Sequence, residues 1–447
     1  MSCYIKKSDI TPQQLKTLIK LLTFIPVKET YSKFEQPATP IYFFKSTPTH
    51  MIIPYMTASS VLQIIPNEDK IFKTVQLEFT GTLRDYQFSI MEEATKQLEE
   101  YGTTTFALIP GCGKTVLGAK CATLYKYLTV ILVTQTILVS QWAKTFENNT
   151  NARVWIVGEK QPAEYDVIIC MDQRWSKIPE DVRKVVGTVI IDEAHLFCTP
   201  SRVDCLLAFQ PFYIIIESAS LERDDELDNM MYAIAGTHGV YRESTKPFSV
   251  YKILTNTSIE RKLNRQKRTD FGKLQKETLM DPRRLDIIYN LVKHHPQHNI
   301  LILTKNVEHV HILHNEIEKT ESCDFLCSNK KSYNDCRVLI GTAQKIGTGF
   351  DQENFCSNYS GKRFDLLILT FSIKKYQMLV QCVGRVLRAD IPFVFHFVDD
   401  DTIFMNHWQK SQRWYKKRDA TISIYNITDK IIDMDYNILE KKIIKND

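Results

Sequence analysis

Leu108-Ile109-Pro110-Gly111-Cys112-Gly113-Lys114-Thr115 is the stretch whose reading decides the fold. It follows an apolar, β-branched run (Thr103 to Ile109) that reads as a buried strand. It precedes Val116-Leu117-Gly118-Ala119-Lys120-Cys121-Ala122, which reads as the start of a helix. Strand, glycine turn and helix N-terminus in that order make an anion cradle. Gly111 and Gly113 let backbone N–H groups turn inward, and the helix dipole adds positive potential. Lys114 supplies a mobile charge for β- and γ-phosphates, and the Thr115 hydroxyl can ligate Mg²⁺.

The stretch departs from the full G-x-x-x-x-G-K-[ST] pattern, because Leu108 stands where the first glycine belongs. Val189-Ile190-Ile191-Asp192-Glu193-Ala194-His195, about 80 residues further on, supplies the complementary half. It is an apolar strand ending in two acids. Such a strand delivers Asp192 to a Mg²⁺ shell and Glu193 to the water that attacks a γ-phosphorus.

At 447 residues the chain is long enough for about three domains. Hydrophobic residues make up 44% and charged residues 24%, the balance of a soluble globular protein rather than a disordered one. No apolar run approaches a membrane span, and the N-terminus carries no signal-peptide pattern. A net charge of +5 permits a local basic stripe for nucleic acid without arguing for one. The 11 cysteines are scattered and odd in number, which suits free thiols in a reducing compartment. Cys323, Cys327 and Cys336 lie close together, but without a C-x-x-C pair or a nearby histidine pair they do not make a zinc site.

Residues 1–78 read as a small α+β N-terminal domain. Thr11-Pro12 starts a helix carrying Leu15, Leu18, Ile19 and Leu22, and Ile41 to Phe44 and Met51 to Ile53 form short strands. The domain either touches substrate or is a structural cap. Leu83-Arg84-Asp85-Tyr86-Gln87 opens the next unit, where the Gln87 amide can pair with an adenine edge.

Strands at 130–133, 167–169, 189–191 and 213–216 alternate with helices, giving an α/β fold with a parallel sheet and right-handed crossovers. Functional residues then belong at the carboxyl ends of strands, where Thr134, Gln173, Asp192 and Ser218 fall. Residues 255–284 form a basic connector with Arg261, Lys262, Arg265, Lys267, Arg268, Lys273 and Lys276, either a solvated face or a nucleic-acid contact. A second α/β unit follows, with strands at 300–303, 338–340, 366–369 and 393–398 and an acidic turn at Asp399-Asp400-Asp401. It carries no phosphate loop. Arg385 and Arg388, three apart on one helix face, need phosphate or carboxylate partners, the simplest being a γ-phosphate on the first unit.

The ordered set LRDYQ, PGCGKT, TQTILVSQW, DEAH, SAS, IGTAQKIGTGFD and QCVGRVLR resembles superfamily 2 helicases of the DEAH/DExH type. Within these it is similar to the XPB-like group of phages and large DNA viruses, which includes branch-migrating and transcript-release helicases. The resemblance spans residues 80–420 and implies two tandem RecA-like lobes, 79–254 and 285–420, followed by a C-terminal extension, 421–447. It implies that Arg84, Gln87, Gly111, Cys112, Gly113, Lys114, Thr115 and Asp351 bind ATP, with Gln87 reading adenine. Thr115 and Asp192 would hold Mg²⁺. Lys114, Asp192, Glu193, Gln381, Arg385 and Arg388 would carry hydrolysis, Arg388 being the better arginine finger. His195, Ser218 and Ser220 would couple hydrolysis to lobe movement, and Thr134, Gln173, Thr342 and Lys345 would touch the nucleic-acid backbone.

SAS replaces the commoner SAT and keeps a hydroxyl. The segment Glu222-Arg223-Asp224-Asp225-Glu226 only loosely matches the group's Arg-x-Asp and is assigned no role. In the tail, Phe404, His407, Trp408, Ser411 and Tyr415 share a helical face, for packing against the second lobe or for base stacking. The expectation is a 3′–5′ ATP-dependent DNA helicase or translocase, monomeric and cytoplasmic, in viral replication, recombination or repair. Its substrate would be single-stranded, forked or branched DNA, with RNA open and replication, recombination or transcription machinery as partners. The alternatives are a remodeller that releases transcripts or proteins and, in another class, a non-hydrolysing nucleic-acid-binding scaffold.

Overall fold

The structure is a computed structural model that describes residues 1–27, 38–109, 111–219, 223, 225–242, 246–264, 269–347 and 350–427. The chain divides into two units, Met1–Glu243 and Ser244–Asp447. Each is built on one seven-stranded, wholly parallel sheet.

In the first unit the sheet runs Val240–Arg242, Thr103–Leu108, Tyr213–Ser218, Thr188–Ile191, Thr129–Val133, Val167–Met171, Val154–Ile156. The central strands Thr129–Val133 and Thr188–Ile191 are buried at every position, because crossover helices cover both faces. The N-terminal elements pack into the same core. Helix Pro12–Leu21 starts with a capping box between Thr11 and Gln14 and buries Leu18. Strand Ser2–Lys6 pairs antiparallel with His50–Pro54, which also pairs with Lys45–Ser46. Met1, Cys3, Met51, Ile53 and Tyr55 join the apolar cluster that contains Phe209 and Ile214. The Ser2 hydroxyl donates to the Leu207 carbonyl at 2.9 Å and the Tyr55 hydroxyl to the Phe212 carbonyl at 3.0 Å. Gly102 makes that approach possible. It sits at φ +72°, and a Cβ there would lie 2.3 Å from the Tyr55 hydroxyl.

The second sheet runs Cys323–Leu326, Val338–Thr342, Ile300–Thr304, Leu366–Leu369, Phe393–Val398, Ser249–Leu254, Thr421–Asn426. Residues 255–284 hold the short helix Phe271–Leu279 and the start of Pro282–Lys293. Four basic residues of that stretch are matched by acids: Arg261 with Asp401, Lys262 with Glu277, Lys273 with Asp270 and Lys276 with Glu308. Arg265, Lys267 and Arg268 lie outside the described residues.

Arg284 is fully buried. Its guanidinium meets Asp399 and the Thr370 carbonyl, tying helix Pro282–Lys293 to the carboxyl ends of two strands. Asp401 caps helix Thr402–Lys417 through the Ile403 N–H at 2.7 Å. That helix buries Phe404, His407, Trp408, Ser411, Trp414 and Tyr415, so its aromatic face is used for packing. The Tyr415 hydroxyl meets His396 Nδ1 at 2.9 Å.

All cysteines are free thiols, most of them buried. Among the described residues no helix is long and apolar enough to cross a membrane, and no group of three or more His, Cys, Asp or Glu could hold a metal ion.

Burial holds the imidazoles of His295, His309 and His396 below their ordinary value, at about 4, 3 and 3. A group with a lowered folded pKa takes up its proton preferentially in the unfolded chain. The stability from neutral burial is therefore complete above about pH 6.5 and is lost as pH falls toward 4. The raised carboxyls of Asp192 and Glu217 give the opposite slope in the same window, so the imidazole share is read against a variant. In urea unfolding His396→Phe should lose stability with falling pH by about 1.4 kcal/mol per pH unit less than the wild type, and an equal slope would contradict the neutral burial of His396.

Candidate functional site

The site of the first unit forms where strand Thr103–Leu108 turns into helix Lys114–Leu124. Gly111 and Gly113 have φ of +93° and +78°, conformations that L side chains rarely adopt, and Gly113 caps the helix. Pro110 lies outside the described residues. The Lys114 ammonium donates to the Leu108 carbonyl at 3.0 Å, so the residue in place of the first glycine contributes its backbone oxygen. The Thr115 hydroxyl accepts from Gln141 Nε2 at 3.0 Å.

Gln87, near the start of helix Asp85–Tyr101, is buried against this loop. Its Nε2 donates to the Cys112 carbonyl at 2.9 Å, and its Oε1 accepts from the Arg84 N–H at 2.9 Å. The side chain thus clamps the phosphate loop. A Cβ at position 113 would lie 2.5 Å from its Nε2.

Strand Thr188–Ile191 delivers Asp192 and Glu193 beside this loop. Asp192 Oδ2 accepts from the Trp142 indole N–H at 2.9 Å, and Oδ1 accepts from the Glu193 backbone N–H at 2.8 Å. Glu193 takes a left-handed backbone, φ +49°, which swings its side chain back toward His195, with Oε2 3.4 Å from Nδ1. His195 Nδ1 lies 3.1 Å from the Ser218 hydroxyl, which links the acid pair to the end of strand Tyr213–Ser218. Ser220 lies outside the described residues. Burial and then the Glu193 charge push the Asp192 carboxyl up to about 6, although Trp142 and Lys114 oppose the shift.

The donor set is oxygen alone, the Thr115 hydroxyl and the Asp192 carboxylate, which is what a small hard cation such as Mg²⁺ takes. The residues present fit that ion.

Of the residues read as nucleic-acid contacts, Thr134 follows strand Thr129–Val133 and its hydroxyl is buried without a hydrogen-bond partner. Gln173 is exposed just past strand Val167–Met171. In the second unit Thr342 ends strand Val338–Thr342, and the Lys345 ammonium donates to the Ser328 carbonyl at 3.1 Å.

Also in the second unit, Gln381 is buried on helix Tyr376–Val383, with its Oε1 3.7 Å from where a Cβ of Gly347 would stand. Arg385 and Arg388 lie in the turns after this helix, not on its face, because the helix ends at Gly384. Arg385 donates to the Phe350 carbonyl at 2.6 Å and to the Gly347 carbonyl. Arg388 pairs with Asp351 at 2.6 Å. Burial alone would raise the Asp351 carboxyl, but the Arg388 guanidinium more than offsets this and holds it below the usual range. Thr348 and Gly349 lie outside the described residues.

Sequence reasoning passed over several participants. Arg223 and Asp225 form a bidentate pair at 2.6 and 2.8 Å, and Arg223 also donates to the His195 carbonyl. The signal in the sequence is the Arg-x-Asp spacing itself. Trp142 and Gln141 read in the sequence only as helix residues. Nothing in the sequence marks Glu217. It is fully buried, neither of its carboxylate oxygens has a hydrogen-bond partner, and desolvation together with Asp192 raises it well above the usual carboxyl range.

Gly118 faces Glu217 from the middle of helix Lys114–Leu124. A Cβ there would lie 2.2 Å from Glu217 Oε1 and 2.8 Å from the Trp142 ring. Alanine ordinarily stabilises a helix interior by about 1 kcal/mol over glycine. Here overpacking costs of about 1–3 kcal/mol should reverse the sign. Gly118→Ala is expected to lower the melting temperature, and a rise would disprove the close approach.

Residues 63–223 match the family model described as "Type III restriction enzyme, res subunit". The "Putative helicase 161L" of Invertebrate iridescent virus 6 is 28% identical over 408 residues, spanning 84% of this chain and 90% of that protein. The "Putative helicase 055L" of Frog virus 3 (isolate Goorha) is 25% identical over 354 residues, spanning 76% and 79%. Among solved structures, S. cerevisiae Dbp5 bound to RNA and ADP BeF3 matches with a TM-score of 0.55 at 12% identity, over 80% of this chain and 95% of that one, a likeness of fold. The chain is thus similar over most of its length to putative helicases of two viruses, on a fold of two tandem RecA-like lobes.

Proposed function

We propose that the chain is an ATP-driven helicase or translocase of the XPB-like group, moving 3′–5′ on single-stranded, forked or branched DNA in viral replication, recombination or repair. One observation carries this reading. Lys114, Thr115, Asp192 and Glu193 lie at one edge of one sheet, joined through Trp142 and Gln141, with His195 and Ser218 bonded behind them. Bound Mg²⁺ would supply charge neutralisation on the phosphates, held by Thr115 and Asp192. Lys114 leaves the Leu108 carbonyl for the phosphates, and Glu193 takes the proton of the attacking water. Gln87 and Arg84 are the candidates for the base side, and Gln381 and Asp351 the second unit's candidates for nucleotide contact.

Arg388, whose pair with Asp351 is partly open to solvent, is the candidate to exchange that carboxylate for phosphate charge, with Arg385 beside it. Loss of that charge on hydrolysis reverses the exchange, and the His195–Ser218 contact passes the change to the strand end. Thr134, Gln173, Thr342 and Lys345 grip the backbone, which gives little sequence preference and strong salt sensitivity. The proposed setting is the host cytoplasm, with residues 1–78 as an accessory domain and the chain acting as a monomer. RNA is the second reading, favoured by the solved Dbp5 structure with RNA.

ATP turnover measured with single-stranded, duplex, forked and four-way DNA, and with RNA, tests the proposal. DNA is expected to stimulate most. Lys114→Ala should abolish turnover, and Glu193→Gln should lower it by about 10²–10⁴-fold while nucleotide still binds. Stimulated turnover that survives Lys114→Ala would refute the site.

A further inference from the structure

Glu217 holds a position that packing alone does not explain. Its strand carries Ile214, Ile215 and Ile216 into the core, and an apolar residue would continue that run. Instead the strand buries a carboxyl completely, with no hydrogen-bond partner for either oxygen. Such a group is strongly destabilising in a protein interior. The helix above makes a second concession, because Gly118, unfavourable in mid-helix, leaves the space that the carboxyl fills. Two unfavourable choices that meet at one point indicate selection for something other than stability.

Three features of its surroundings say what that is. Ile191 pairs with Ile216 in the parallel register, so Asp192 and Glu217 are neighbours on the same face of the sheet. The Trp142 ring borders the same Gly118 space, and its indole N–H holds Asp192 Oδ2. Lys114 stands one turn above Gly118 on the helix. Glu217 therefore borders the strand neighbour, the indole donor and the helix that together set Asp192.

We infer that Glu217 is a positioning residue of the nucleotide site, which acts through Trp142 and gives Asp192 a polar neighbour on its core side, so that the Asp192 carboxylate is turned toward Mg²⁺. Glu217 does not touch the metal. The inference rests on the ATP-site reading above and deepens it.

The test is a Mg²⁺ titration of the binding of a fluorescent ADP analogue to the full chain, with melting temperature and the kcat and KM for ATP measured beside it. Glu217→Met fills the same space without polarity. It is expected to raise the melting temperature, to increase the Mg²⁺ needed for half-saturation by about tenfold, and to lower kcat more than it changes KM. Glu217→Gln keeps size and polarity and should stay within about twofold of wild type. If Glu217→Met does not fold, Gly118→Ala, which presses on the same carboxyl, should show the Mg²⁺ shift. An unshifted Mg²⁺ requirement in Glu217→Met, or an equal shift in Glu217→Gln, overturns the inference. A wild-type chain with no Mg²⁺-dependent nucleotide binding instead overturns the site reading itself, whatever Glu217 does.

Discussion

Parallel pairing of strands Thr188–Ile191 and Tyr213–Ser218 sets two acids side by side, and the first unit is arranged around that crowding. Asp192 and Glu217 share a sheet face, and Glu193 follows at once. Burial and mutual repulsion raise both carboxyls, Glu217 well above the usual range, so the pair resists holding two full charges. The offset has to come from inside. It comes from the indole N–H of Trp142, the backbone N–H of Glu193, the charge of Lys114 and the positive end of the helix that Lys114 begins. These groups only partly succeed, as the raised Asp192 carboxyl records. A site left short of positive charge in this way favours a cation that arrives with its substrate.

The second unit repeats the architecture with a different set of buried charges. The guanidiniums of Arg284 and Arg385 are buried, as are the carboxylates of Asp324 and Asp399, and the partners of its arginines separate two uses. Arg284 has no exposure and is closed in by Asp399 and the Thr370 carbonyl, with Thr255 donating to the same carboxylate at 2.6 Å. Breaking that set would strand a buried charge, so it serves the fold. Arg388 is different. It and Asp351 keep 17% and 27% of their side-chain surface exposed, so another anion can compete for the guanidinium without any change in the core. Arg385 sits between these cases, donating to the Phe350 and Gly347 carbonyls, which are weaker partners than phosphate.

The strands that could be read in advance were those buried on both faces, such as Ile300–Thr304 and Thr188–Ile191, because both faces demand apolar side chains and leave an unbroken run. The strands passed over lack that run. Thr421–Asn426 is an edge strand with half its side chains in water, and Val154–Ile156 has three residues. Ser249–Leu254 carries Lys252, whose ammonium lies over the Trp408 ring at 5.4 Å, so a charge interrupts a strand that is nonetheless interior to its sheet. The phosphate loop and the acid pair were legible because their chemistry is local in sequence. Glu217 and Gly118 were not. A glutamate at a strand end ordinarily turns to solvent, and only a helix 99 residues earlier, at Gly118, shows that it does not. Arg385 and Arg388 were legible as a pair but misplaced, since helix spacing says nothing of a turn set by Gly384.

The distribution of the remaining basic residues bears on how nucleic acid would be held. Arg261, Lys262, Lys273 and Lys276 of the 255–284 stretch are each matched by an acid, and the net charge of the chain is only +5. A grip by lysine and arginine side chains alone would need charge that this stretch has already committed. Strand ends offer the alternative. Thr134 stands one residue beyond Thr129–Val133 with a buried hydroxyl that has no hydrogen-bond partner, and an unmet buried hydroxyl costs about 1–3 kcal/mol. A phosphate oxygen reaching that strand end would accept its proton and recover the cost. On this argument hydroxyls and amides at the carboxyl edges of the sheets share the proposed backbone contacts with side-chain charge such as that of Lys345.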